Sequence, residues 1–150
     1  MKINKLVMAV LVLLILSAPI ANAGEFWGVV NLASKHVGAG KQLNESNPGL
    51  GIEYAQSEEI TYMVGAYRNS HNRRSKYGFV AYTPVQYDGF SAGVAAGAAT
   101  GYTSGRDTKT LPVLAGLVRW RGENAGVNLM IIPKSKNADV TFGLQAVFKF

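Results

Sequence analysis

The stretch VTFGLQAVFKF, residues 140–150, alternates without a break. Val140, Phe142, Leu144, Ala146, Phe148 and Phe150 fall on one face of an extended chain. Thr141, Gly143, Gln145, Val147 and Lys149 fall on the other, because successive side chains of a strand point to opposite sides. Similar runs recur upstream, near 26–34, 49–56, 60–68, 76–83, 89–100, 111–120 and 125–132, each bounded by turn chemistry. With 139–150 they make eight strands. A soluble sheet alternates in the same way, so the choice between a soluble sheet and a membrane barrel falls to the rest of the chain.

The first residues speak to the compartment. Lys2 and Lys5 precede a short apolar run, Leu6 to Leu16, and Ala21-Asn22-Ala23 has the small-x-small form of a cleavage site. This predicts a secretory signal peptide over 1–23, cleaved to leave one domain over 24–150. The chain has no cysteine, so neither a disulfide nor a thiolate site is expected. Beyond Ala23 no apolar run approaches the roughly 20 residues that span a bilayer as a helix. A membrane-inserted mature chain must then be a closed barrel, since only helices and barrels satisfy every backbone group in lipid. The connections after strands 2, 4 and 6 are short (QSE, TPVQYD, GEN), and those after strands 1, 3, 5 and 7 are longer and polar. That asymmetry is expected of an all-β, eight-stranded, antiparallel, up-and-down transmembrane barrel of the outer-membrane type. The chain's last strand, with its terminal Phe150, also resembles the assembly signal of outer-membrane barrels, which implies recognition by the barrel-assembly machinery.

Two surfaces carry further information. The longer loops gather cations (Lys35, Lys41, Arg68, Arg73, Arg74, Lys76, Arg106, Lys109, Lys134, Lys136) against Glu45, Asp107 and Asp139, within a chain of net charge +6. Such a rim is either a solvated loop face or a surface that attracts phosphorylated headgroups; export argues against nucleic acid as a partner. In strand 5, Gly89, Ser91, Gly93, Ala95, Gly97 and Ala99 form a small-residue face suited to the lumen, while Phe90 and Val94 suit lipid. Glu53, Arg119, Gln145 and Lys149 lie toward the short-turn end, where inward-facing side chains would make a charge-paired polar floor.

His36 after strand 1 and Asn69-Ser70 after strand 3 share the long-loop rim. Around them lie NESNPGLGIEY, GAYRNS, LPVL at 111–114 and IIP at 131–133. In this order and spacing, over roughly residues 36–150, the chain resembles the outer-membrane lipid A palmitoyltransferase family. The resemblance implies transfer of an acyl chain from a phospholipid donor to lipid A by a monomeric outer-membrane barrel without metal or cofactor. Its His and Asp-Ser positions fall on His36, Asn69 and Ser70. His36 would act as base and Ser70 as nucleophile or polarising hydroxyl, with Asn69, Arg73 or Arg74 stabilising negative charge. His71 is a second candidate base. Asn69 departs from the family's Asp and can neither take a proton nor stabilise an imidazolium by charge. The same residues are also ordinary turn material.

Pro48, Pro112 and Pro133 fall at the outer ends of strands 2, 6 and 7. A proline removes a ladder donor, so the wall is expected to pair incompletely there, and in the family such gaps admit lipid. The resemblance also places the residue that limits acyl length at Ala81, in the inward series Tyr77, Phe79, Ala81. Two further departures are the lack of a proline in FWGVVNLA and of a helical segment before strand 1. The competing readings are a non-catalytic barrel that binds lipid or alters the cell surface, and a lipid A deacylase, whose late-strand His this chain lacks.

Overall fold

The computed structural model describes residues 24–39, 42–102, 110–134 and 139–150. The signal peptide expected over 1–23 lies outside the described residues, as do Lys41, Arg106, Asp107, Lys109 and Lys136. Eight strands follow one another: β1 Glu25–Val37, β2 Ser46–Ala55, β3 Ile60–Arg68, β4 Arg74–Tyr87, β5 Phe90–Ala99, β6 Leu111–Arg121, β7 Ala125–Ile132 and β8 Val140–Lys149. Each pairs antiparallel with its sequence neighbour, and β8 returns to β1, so the sheet closes into a barrel.

Two boundaries differ from the sequence reading. TPVQYD is not a turn: Thr83–Tyr87 continue β4 past a register shift between Tyr82 and Val85, where Pro84 withholds its ladder donor. The reversal is made by Asp88 and Gly89, both at positive φ (44° and 76°), the two-residue geometry that matches strand twist. The first outer loop is also shorter than expected, because Lys35–Val37 extend β1 and Ser46–Pro48 begin β2.

The barrel is apolar outside and polar inside. Leu50 (71% exposed), Leu114 (60%), Ile52, Val64, Val94, Leu144 and Phe148 face outward around the wall. At the short-turn end exposed Phe26, Tyr82, Trp120 and Phe150 and half-buried Tyr54 and Tyr62 form an aromatic girdle, with Phe26 and Tyr54 rings 4.8 Å apart. At the other end Lys35, Arg68, Arg74, Lys76 and Lys134 are exposed. This is the surface of a barrel solvated by lipid, with one aromatic and one basic border. In strand 5, Ser91, Ala95 and Ala99 are buried inside and Phe90 and Val94 exposed outside, as its parity predicts.

The lumen is plugged in its lower half. Arg119 donates to Ser91 Oγ (2.9 Å), Thr61 Oγ1 (2.7 Å), the Glu58 carbonyl (3.1 Å) and Thr83 Oγ1. Glu53 accepts from Arg121 Nη2 at 2.7 Å and from Asn128 Nδ2, and Asn128 passes the network to Gln145 and Asn31. The polar floor therefore exists, but the cation paired with Glu53 is Arg121, not Arg119, and Lys149 pairs with Glu25 at the rim. Above it Met63, Tyr77, Ala81, Ala95, Ala115 and Leu117 pack as an apolar layer.

A bulge sets the chemistry of the upper half. On β1 the inward side chains are Trp27, Val29 and Asn31, but beyond a register shift between Asn31 and Ala33 they are Ser34 and His36. One extra residue against β8 exchanges the two faces of the strand. Without it His36 would point at lipid.

Candidate functional site

The upper lumen holds a cavity of about 830 Å³, within the size range of small-molecule sites. Its wall carries a run of aromatic rings. Phe79 stacks on Tyr77 (5.5 Å), Tyr77 meets Tyr67 (5.8 Å), and Tyr67 shares a 2.5 Å hydroxyl–hydroxyl bond with Tyr102, which in turn meets the edge of His71 (6.2 Å). Val113, Met130 and Ile132 complete the apolar lining. The Tyr77 ring can lie across the lumen because β2 and β3 present Gly51 and Gly65 beneath it. A Cβ on either would come within 2.6 Å of the tyrosine hydroxyl. At this lower boundary Asn31 Nδ2 and Tyr77 Oη are buried with no hydrogen-bond partner among the described residues.

The cavity also opens sideways. The β6–β7 ladder begins at Gly116–Ile131, so residues 111–115 of β6 have no partner on β7 among the described residues, although they pair fully with β5. The cavity therefore reaches Val113 on the inner face and Leu114 on the outer face, with Pro112 and Pro133 beside the gap. Pro48 stands at the β1–β2 irregularity, opposite Leu32, and does not line the cavity.

At the mouth the predicted residues separate. Asn69 is fully buried and committed: Nδ2 donates to Ser75 Oγ (3.0 Å) and the Gly101 carbonyl (2.9 Å), while Oδ1 accepts from the backbone N–H groups of His71 and Arg73. It ties the β3–β4 turn to the start of the β5–β6 loop, and no part of its amide is left over for a substrate. Ser70 and His71 line the cavity, whereas Arg73 and Arg74 are exposed outside it. Ala81 faces inward but is sealed in the layer below Tyr77 and does not line the cavity, so it is not the residue that ends it. Tyr77, four residues earlier on the same face, does line it, together with Asn31 and Gln145 of the floor network. A periodicity argument finds both residues on one face but cannot tell which of them reaches across the lumen.

His36 is held on both nitrogens, by Ser34 Oγ at Nε2 (3.2 Å) and by Thr141 Oγ1 at Nδ1 (3.0 Å), rather than by Ser70. Neither Ser34 nor Thr141 stands out in the sequence, because the bulge that turns Ser34 inward and the closure that brings β8 beside β1 are both tertiary. Beside them Lys35 Nζ lies 3.0 Å from Glu45, whose carboxyl it holds below the ordinary carboxylate range. The described residues include no group of acidic, His or Cys side chains able to hold a metal ion.

Among solved structures, the chain is similar to the N-terminal β-barrel domain of Pseudomonas aeruginosa OprF, at a TM-score of 0.58 and 18% identity over 85% of this chain and 99% of that one. The chain has the fold of a small outer-membrane barrel. A de novo designed protein, TMB2.3, aligns at a TM-score of 0.54 and 13% identity, covering 87% and 96% of the two chains. The Yersinia pestis outer membrane protein Ail aligns at 0.46 and 16%, over 85% and 99%. No family model and no curated protein matches. The likeness is therefore one of architecture.

Proposed function

We propose that this protein is an outer-membrane barrel that takes one acyl chain of a membrane lipid into its upper lumen through the gap between β6 and β7. The observation that carries this reading is that Val113–Ala115 of β6 have no ladder partner on β7 among the described residues, beside Pro133, where the wall opens onto an apolar, aromatic-lined cavity. Backbone groups left unpaired at membrane depth are costly, so barrels normally complete their ladders. A gap that joins a lumen to the lipid phase is a route for a lipid tail. The basic border supports the same reading. Arg68 and Arg74 stand directly opposite each other across β3 and β4, with Lys76 two residues on. Like charges placed opposite repel, and an anionic headgroup between them removes that repulsion.

The test is titration of the vesicle-reconstituted protein with a fluorescent fatty acid. Wild type should bind about one chain per barrel. A folded Ala99→Phe variant, with the lumen narrowed at a buried position that lines the cavity, should bind none. Equal binding by both proteins would end this reading.

A second reading, acyl transfer from phospholipid to lipid A, is favoured by one observation: a histidine hydrogen-bonded to a hydroxyl inside that same cavity. Expression in a Gram-negative host should then give lipid A heavier by one acyl chain, read by mass spectrometry. An unchanged lipid A profile from folded, inserted protein rejects it and leaves a non-catalytic lipid-binding barrel.

A further inference from the structure

The His36 ring sits in a directed chain of hydrogen bonds whose sense can be worked out from its far end. Asn47 Nδ2 donates to the Arg68 carbonyl at 2.9 Å, which fixes the amide and turns Oδ1 toward Ser34. Oδ1 can only accept, so the Ser34 hydroxyl donates to it, at 2.6 Å. With its proton committed, Ser34 Oγ can offer His36 only a lone pair. His36 Nε2 therefore carries the proton, and in the neutral ring Nδ1 is left as a bare acceptor. The atom facing Nδ1, at 3.0 Å, is Thr141 Oγ1. Thr141 can alternatively donate to the Asp139 carbonyl at 2.9 Å, so its hydroxyl has an acceptor in either protonation state of the ring. Ser34, His36, Asn47 and Thr141 all line the acyl-chain cavity.

We propose that Thr141 is the reactive hydroxyl of this barrel, with His36 as its general base and Ser34–Asn47 as the pair that fixes the histidine tautomer. The arrangement is the nucleophile–base–orienter sequence of acyl-transfer sites, built here from Thr, His and Ser. Its substrate class is an acyl ester whose chain occupies the cavity, so the inference rests on the proposed function. Thr141 Oγ1 attacks the ester carbonyl carbon and its proton passes to His36 Nδ1. Collapse of the tetrahedral adduct breaks the ester C–O bond, and the departing alcohol takes the proton from Nδ1. The acyl-threonine is then attacked by a second hydroxyl, of water or of an acceptor lipid, which gives its proton to Nδ1. Threonine finally recovers that proton as the new ester or acid leaves.

The experiment uses the full barrel in phosphatidylcholine vesicles with p-nitrophenyl acetate. This small ester reaches the mouth without filling the cavity, so the chemistry is read separately from chain binding. Acid quenching and peptide mass spectrometry should find one acetyl group on Thr141. Thr141→Val should abolish the adduct, and Thr141→Ser should restore it. His36→Ala should slow acetylation about 100-fold or more, the usual weight of a general base. An adduct on Ser70, or none on a wild-type protein that binds the fatty acid, overturns the assignment while the chain-binding reading stands. Acetylation of Thr141 in a protein that takes up no fatty acid would support the reactive hydroxyl and sink the chain-binding reading.

Discussion

Replacing Glu53 by Leu removes the carboxylate that the lumenal network holds among the described residues and puts an apolar side chain of similar size in its place. Glu53 is 1% exposed and receives Arg121 Nη2 at 2.7 Å together with Asn128 Nδ2. At an effective dielectric near 20, opposite charges about 4 Å apart attract by about 4 kcal/mol. Breaking a buried pair from one side typically costs about 3–5 kcal/mol, because a charge is left behind. Arg121 is not wholly stranded. It keeps a 2.8 Å bond to Asn128 Oδ1, lies 5.2 Å over the Trp27 ring, and its side chain is 19% exposed at the short-turn rim. Water can reach it, which places the expected cost at the lower end, about 3 kcal/mol. The double variant Glu53→Leu/Arg121→Met removes both charges and should recover about 2 kcal/mol. Recovery is incomplete because the Asn128 carbonyl oxygen loses its donor. Equilibrium urea unfolding of the vesicle-folded barrel, followed by tryptophan fluorescence, measures both quantities. A single-variant cost under about 1 kcal/mol, or a double variant no more stable than the single, would refute the claim that this pair locks the lower lumen.

Asn69→Asp should not create a better active site. It places a carboxylate against the Gly101 carbonyl and against a Ser75 hydroxyl already donated to Thr100, so urea unfolding should show a loss of about 1–3 kcal/mol. Tyr67→Phe breaks the bond to Tyr102 and should cost about 1 kcal/mol, whereas Tyr77→Phe removes a hydroxyl that has no hydrogen-bond partner among the described residues and should be neutral or slightly stabilising by the same assay. Gly65→Ala sets a methyl 2.6 Å from the Tyr77 ring and hydroxyl and 2.7 Å from the Leu50 carbonyl. It should destabilise the barrel by about 1–3 kcal/mol and reduce fatty-acid binding by displacing Tyr77.

The eight strands were legible because a wall between lipid and a packed lumen imposes period two on every strand, and because Gly, Pro and charge collect where the wall turns. The same alternation put Phe90 and Val94 outside and Ala95 and Ala99 inside. Pro112 and Pro133 stood out because a proline lacks the ladder N–H, and they flank the part of β6 that has no β7 partner among the described residues. Asn69 was visible as a departure from a family pattern, but two of its four side-chain bonds reach Ser75 and Gly101, the latter across a loop whose proximity no local pattern encodes.

By itself, then, the sequence determined the barrel, its strand order and its polarity, since these follow from short-range periodicity and from the requirement that a membrane-spanning sheet close. Tertiary structure alone decided which side chains meet. The bulge at Leu32 reverses parity and sends Ser34 and His36 inward, and barrel closure lays Thr141 beside His36 across 105 residues of chain. It also gave Glu53 to Arg121 instead of Arg119, two residues apart on the same face of β6. Parity fixes a face, but a one-residue register shift or the reach of a long side chain selects the partner, and both are settled only when the ladders form.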